Sequence, residues 1–126
     1  MATQLQTEQP VVLVVEDEFI IALDLSETVR DLGYRVEGPF ADKDHAMVAI
    51  ADCMPDLAIL DVMTSSGEVF PLADALTQAG VPIIFHSGHY TEQDIAERYP
   101  NAAAAAKPCP PDKLISLIEN AYSSMH

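Results

Sequence analysis

Apolar stretches of two different periods alternate along this sequence, and most stretches of strand length end at a residue that carries chemistry. Val11-Val12-Leu13-Val14-Val15 is a continuous, largely β-branched run, as a strand buried on both faces requires, and it stops at Glu16-Asp17-Glu18. Ile21, Leu25, Val29 and Leu32 then recur at helical spacing, with Gly33 where a C-terminal cap glycine belongs. Tyr34–Glu37 is short and half polar, which suits an edge strand. Asp42–Ala51 predicts a second helix with Ala46, Met47 and Ile50 turned inward. Leu57–Leu60 is a second buried strand ending at Asp61, and Thr64-Ser65-Ser66-Gly67 is expected to be a loop. Val69–Gln78 predicts a helix with Leu72, Ala73 and Leu76 inward, Pro71 confined to its first turn and Gly80 closing it. Val81–His86 is a third buried strand, ending at Ser87-Gly88, and Thr91 can cap a short polar helix reaching Arg98. Ala102–Ala106 would be helical by propensity alone. Its place between Pro100 and Pro108, within the β-α alternation, predicts a strand instead. Pro111 opens the last helix, whose stripe is Leu114, Ile115, Ile118 and Tyr122.

Five strands and five helices in strict alternation predict an α/β fold of three layers, a parallel sheet with helices on both faces. Right-handed crossovers leave few strand orders. At 126 residues the chain suits one domain, taken as residues 10–126 behind a flexible arm of residues 1–9. Formal net charge is −14 with six Lys and Arg, which excludes the basic footprint of a nucleic-acid-binding domain. No apolar run approaches the roughly 20 residues of a membrane span. Met1–Pro10 has neither a basic nor an apolar segment, so no signal peptide is expected and the cytoplasm is. Cys53 and Cys109 lack metal-ligand spacing and are expected to be reduced thiols.

The positions of the polar residues matter most. Glu16 and Asp17 follow the first strand, Asp61 the third, Ser87 the fourth and Lys107 the fifth. In a parallel sheet these ends all face one way, and ligands bind there where the strand order reverses. Three carboxylates, a hydroxyl and an ammonium are therefore expected in one crevice. Crowded carboxylates favour a hard cation, and so few of them beside an open loop favour Mg²⁺. Lys107 can pair with an anion, Ser87 can donate to a phosphoryl oxygen, and an aspartate in this company can act as a nucleophile towards a phosphoryl donor. Any one acidic residue after a strand is ordinarily a solvated turn residue. Four sites at four strand ends make that reading a coincidence.

At Val14-Val15-Glu16-Asp17-Glu18, Asp56-Leu57-Ala58-Ile59-Leu60-Asp61, Ser87-Gly88 and Lys107-Pro108 the sequence resembles the receiver domains of two-component response regulators, from Val11 to Tyr122. The resemblance implies a flavodoxin-like (βα)5 fold with strand order 2-1-3-4-5. It implies Asp61 as phosphoacceptor and Glu16, Asp17, Asp61 and the backbone carbonyl of Met63 as Mg²⁺ ligands. Ser87 would be the switch hydroxyl and Lys107 the phosphoryl-pairing lysine. A stand-alone, non-enzymatic bacterial phosphorelay switch would follow, taking its phosphoryl group from a sensor histidine kinase or phosphotransfer protein. Its output would be contacts with a downstream protein, with no nucleic acid or membrane involved, and a homodimer on phosphorylation is admitted. Receivers usually carry an aromatic residue three positions before the lysine, where this chain has Ala104. Phe85-His86-Ser87-Gly88-His89-Tyr90 instead resembles the signature of the FATGUY receivers, which lack that aromatic.

Two other readings compete. A small aspartate-based phosphatase of the haloacid dehalogenase type wants a second Asp two residues after the nucleophile, where this chain has Met63. A pseudo-receiver would not need the full acidic set with Lys107. His45 is expected to be solvated, and His86 packed and hydrogen bonded. His89, two residues after Ser87, is either an ordinary loop histidine or a residue at the position where receivers tune phosphoryl lifetime. Lys107-Pro108 is expected to be a cis peptide that aims Lys107 into the crevice.

Overall fold

The computed structural model describes residues 9–88 and 90–125, with the side chains of 124 and 125 left aside. The expected arm therefore falls almost wholly outside the described residues, as does His89. The central sheet holds five parallel strands: β1 (Val11–Val15), β2 (Arg35–Phe40), β3 (Leu57–Asp61), β4 (Ile83–Ser87) and β5 (Ala103–Ala106). Their order is β2-β1-β3-β4-β5, so the order reverses between β1 and β3 as expected. Helices α1 (Phe19–Asp31), α2 (Lys43–Asp52), α3 (Phe70–Gln78), α4 (Glu92–Arg98) and α5 (Pro111–Met125) complete the alternation.

The sheet is covered by two apolar layers, as β-strand alternation dictates. Leu13, Leu60 and Phe85 face the side of α2, α3 and α4, packing with Ile50, Leu72, Leu76 and Ile95. Val12, Val14, Ile59 and Ile84 face α1 and α5, packing with Leu25, Val29, Leu114 and Ile118. Burial of β1 and β3 on both faces explains their unbroken hydrophobic runs. Alternation is weaker in β2, the edge strand, where half the residues are exposed.

Three segments depart from the sequence reading by more than one residue. The edge strand extends to Phe40, because its backbone stays paired to β1 past a register shift between Leu13 and Val15. There Gly38, with φ +106, lets the backbone of Val14 approach so closely that a Cβ would meet its carbonyl oxygen at 2.8 Å. The fourth strand starts two residues later and ends one later than expected, over Ile83–Ser87, so Ser87 lies inside the strand end. The stretch expected as a plain loop contains a small antiparallel hairpin, Met63–Thr64 with Gly67–Glu68. Local polarity hid it: Thr64 Oγ1 donates to Gly67 O at 2.7 Å and Lys43 Nζ to Ser66 O at 2.8 Å, ordering a polar segment through side chains.

The alanine strand is β, as expected from context. Ala103, Ala104, Ala105 and Ala106 pair in register with Ile84, Phe85, His86 and Ser87. Ladder pairing supplies backbone hydrogen bonds that outweigh alanine's helical preference. Helix signals also hold at the termini. Thr91 Oγ1 accepts the Asp94 N–H and Asp94 accepts the Thr91 N–H in return, a reciprocal cap on α4.

Candidate functional site

β1, β3, β4 and β5 deliver their C-terminal residues to one end of the sheet, and the expected residues meet there. Glu16, Asp17 and Asp61 each place a carboxylate oxygen so that all three lie within 4.8 Å of one another. Glu16 and Asp61 are buried, whereas Asp17 is exposed. Lys107 reaches in from the end of β5. Its Nζ lies 2.8 Å from Glu16 Oε1 and 3.0 Å from Asp61 Oδ2. The Lys107-Pro108 bond is cis, as expected, and so is Gly38-Pro39, which the sequence reading did not single out.

Burial and charge set the protonation behaviour of the cluster. Desolvation pushes the Asp61 carboxyl up to about 6; Lys107 pulls it back and the neighbouring Glu16 anion raises it further. Burial alone would raise Glu16 too. Contacts with His86 and Lys107 and the Glu18 N–H outweigh it and hold Glu16 at about 2. Lys107 is desolvated as well, yet its two carboxylate partners lift it above the ordinary lysine value. The site is thus an ammonium shared between two buried carboxylates, one of them resisting ionisation.

These residues fit Mg²⁺. The donors are hard carboxylate oxygens, one of them solvent-facing, and Asp61 carries a penalty for its charge that a divalent cation would remove. The Met63 N–H donates to Asp61 Oδ1 at 3.3 Å, which holds the backbone of Met63 beside the cluster.

Ser87 is buried at the end of β4, and its Oγ accepts the Tyr90 N–H at 3.0 Å. Tyr90 in turn packs edge-on to Phe70, 5.8 Å between centroids, and its hydroxyl donates to Glu68 on the hairpin. The strand after Asp61 and the segment after Ser87 are therefore linked through one tyrosine. With only a methyl group at Ala104, aromatic bulk comes from elsewhere. Phe85, whose register partner is Ala104, packs on Tyr99 at 5.0 Å, Tyr99 stacks on Phe70 at 6.0 Å, and the Arg98 guanidinium covers Phe70. The Tyr99 hydroxyl donates to Asp74 at 2.6 Å.

Three participants escaped the sequence reading. Glu18 contributes a third carboxylate to Lys107, at 3.3 Å. Its signal, one more acid in Glu16-Asp17-Glu18, was present but carried no assigned role. Tyr90 stands in the Phe85-to-Tyr90 signature, but its hydrogen-bonding role is not legible there. His86 was expected to be packed and hydrogen bonded. It is packed, at 3% exposure, but neither ring nitrogen has a hydrogen-bond partner among the described residues. Its Nδ1 lies 3.7 Å from Glu16 Oε1, too long for a hydrogen bond. His45 is exposed, as expected, and its N–H donates to Asp42 Oδ1 at 2.7 Å as part of the α2 cap. Cys53 and Cys109 are both free thiols. No helix among the described residues is long and apolar enough to cross a membrane.

Comparison with known proteins agrees with this geometry. No family model matches the chain. The signal receiver domain of a modulated diguanylate cyclase from Desulfovibrio desulfuricans G20 is 30% identical, with TM-score 0.78, and the match covers 93% of this chain and 96% of that one. The receiver domain of the Erythrobacter litoralis PhyR response regulator is 28% identical, with TM-score 0.79 and 92% of each chain covered. The transcriptional regulatory protein PdtaR of Mycobacterium tuberculosis is 32% identical over 115 residues, 89% of this chain and 56% of that protein. The phyllosphere-induced regulator PhyR of Methylorubrum extorquens is 30% identical over 124 residues, 96% of this chain and 45% of that protein. The chain thus spans about half the length of the curated relatives it matches. It belongs to the response-regulator receiver domains and has their CheY-like, flavodoxin-like fold.

Proposed function

We propose that this receiver domain accepts a phosphoryl group on Asp61 from a phosphohistidine donor and switches protein contacts in response. The observation that carries the reading is Lys107, held between Asp61 and Glu16 at the end of β5, where it can follow a phosphoryl group. The Asp61 carboxylate attacks phosphorus; the new bond is P–O, and the bond broken is the P–N bond of the donor, whose imidazole leaves. With Asp61 near 6, its carboxylate is the prevailing form at neutral pH and can act as nucleophile. Lys107 pairs with the transferred group, and Ser87 turns its hydroxyl from the Tyr90 N–H towards a phosphoryl oxygen. Glu16, Asp17, Asp61 and the Met63 carbonyl would hold Mg²⁺, which supplies charge neutralisation for the transferring phosphoryl group.

The donor would be the phosphohistidine of a sensor histidine kinase or a phosphotransfer protein. Phe19, Ile20 and Leu23 are exposed on the first turns of α1, beside the crevice, and suit contact with such a partner. The absence of an aromatic side chain at Ala104 favours the FATGUY type of receiver, with readout through residues 88–99. The protein is a phosphoacceptor rather than an enzyme acting on a separate substrate, and it works in the bacterial cytoplasm.

Incubation with acetyl phosphate tests the core of this. Intact-mass measurement should detect one added phosphoryl group when Mg²⁺ is present and none with excess chelator, and Asp61→Asn should take none. Equal labelling of Asp61→Asn would move the site elsewhere.

A further inference from the structure

His86 stands apart from the other buried polar groups. Its ring is enclosed at the end of β4, level with Asp61 on β3 and Ala105 on β5, and both its nitrogens lack partners among the described residues. A buried imidazole without hydrogen bonds costs free energy in this state, and a partner gained in another state would offset that cost there. An acceptor beside it is Glu16, whose side chain is fully buried and whose Oε1 lies 3.7 Å from Nδ1. One Glu16 oxygen, Oε2, is occupied by the Glu18 N–H at 3.0 Å. The other, Oε1, faces Lys107 Nζ at 2.8 Å, and the same ammonium also reaches Asp61 and Glu18.

That arrangement holds only while Lys107 stays between the carboxylates. A phosphoryl group on Asp61 adds a stronger anion beside the same ammonium and draws it away from Glu16. Glu16 Oε1 would then lose its ammonium neighbour and keep only the cation that the carboxylates would hold, so a protein hydrogen-bond donor to this buried oxygen becomes favourable. His86 Nδ1 is the donor in reach, short of hydrogen-bond distance by less than 1 Å. Space exists for the adjustment, because the ring lines a cavity of about 400 Å³ between α1 and the start of α5, walled by Leu25, Thr28, Pro108 and Leu114.

We propose that His86 is a positioning residue for Glu16, closing an Nδ1–H hydrogen bond onto Oε1 when Lys107 turns to the phosphoryl group, and so holding Glu16 in place as a metal ligand in the phosphorylated state. This rests on the assignment of Asp61 as phosphoacceptor. Sequence supplied no hint of it, since a histidine inside a buried strand reads as packing.

The test compares the wild-type chain with His86→Phe, which keeps the ring volume but removes the donor, and His86→Asn, which keeps a donor. Mg²⁺ affinity is followed by amide chemical shifts in the presence of beryllofluoride, acetyl phosphate labelling by mass, and the His86 ring nitrogens by ¹⁵N spectra before and after addition of Mg²⁺ and beryllofluoride. Expected are a shift of Nδ1 into the hydrogen-bonded range on beryllofluoride addition, Mg²⁺ binding about tenfold weaker in His86→Phe, and recovery to within about threefold in His86→Asn. If His86→Phe does not fold, the wild-type ¹⁵N spectra and His86→Asn still decide. A silent His86 ring in a chain that labels at Asp61 overturns this proposal alone, as does His86→Phe binding Mg²⁺ like wild type. Equal losses in both variants would mean packing only and would also overturn it. A wild-type chain that takes neither phosphoryl nor beryllofluoride would overturn the phosphoacceptor reading and this proposal with it.

Discussion

Replacing Asp61 with Asn should stabilise the protein. Asp61 is 5% exposed and faces Glu16, and its carboxyl titrates near 6 instead of its ordinary 3.8. Its anion is therefore disfavoured in the folded state by about 3 kcal/mol, which is the ceiling for what a neutral isostere recovers. The sign follows from linkage. Between pH 3.8 and 6 the folded chain holds a proton that the unfolded chain has lost, so stability falls as pH rises across that window. The penalty is absent below 3.8 and complete above 6. Urea denaturation of wild type and Asp61→Asn at pH 7.5 without Mg²⁺ should show the variant ahead by up to about 3 kcal/mol, or roughly 10 °C in Tm. At pH 4 the gap should nearly close. Adding Mg²⁺ at neutral pH should raise wild type more than the variant, because binding to the folded state adds stability and Asn lacks the ligand charge. A variant no more stable than wild type at pH 7.5, or a gap that does not depend on pH, would refute the reasoning.

Lys107→Ala should act in the opposite direction. It leaves Glu16 and Asp61 buried without their cation and should cost about 3 kcal/mol by urea denaturation, while acetyl phosphate labelling of Asp61 persists and its conformational consequence weakens. Hydrogen exchange with and without beryllofluoride should change protection in residues 88–99, where Tyr90 links Ser87 to Glu68 and Phe70; changes confined to α1 and α2 would remove that segment from the readout. Gly38→Ala should cost at least about 2 kcal/mol, because its Cβ would meet the Val14 carbonyl and the Phe40 nitrogen at positive φ. Gly33→Ala, equally strained in φ but facing open space, should cost roughly 1 kcal/mol; equal losses at both positions would show that the close approach of β1 to β2 is not what the glycine serves.

The alternation of buried runs and amphipathic stripes was legible because it depends on local periods and on burial common to every parallel sheet. Val11–Val15 could be placed with no knowledge of its neighbours, and so could the reach of Pro111 as a helix start. The gathering of Glu16, Asp17, Asp61, Ser87 and Lys107 was legible for a topological reason: parallel strands carry their ends to one side. Ala103–Ala106 marks the boundary between the two kinds of information. Its own propensity is helical, and only the alternation around it predicted the strand that pairing with Ile83–Ser87 secures. The hairpin Met63–Thr64 with Gly67–Glu68 lay beyond the sequence, since it depends on side-chain bonds such as Lys43 to Ser66, across 23 positions.

Distances between side chains belong to tertiary structure alone. That Lys107 sits between two carboxylates, that Glu18 joins them, and that His86 stops at 3.7 Å from Glu16 follow from how strands twist and pack, at a resolution no periodicity carries. The Asp61 shift to about 6 has the same origin. Residue identity determines that a carboxyl can ionise; the depth at which the sheet buries it, and the charges the fold brings beside it, decide what ionisation costs.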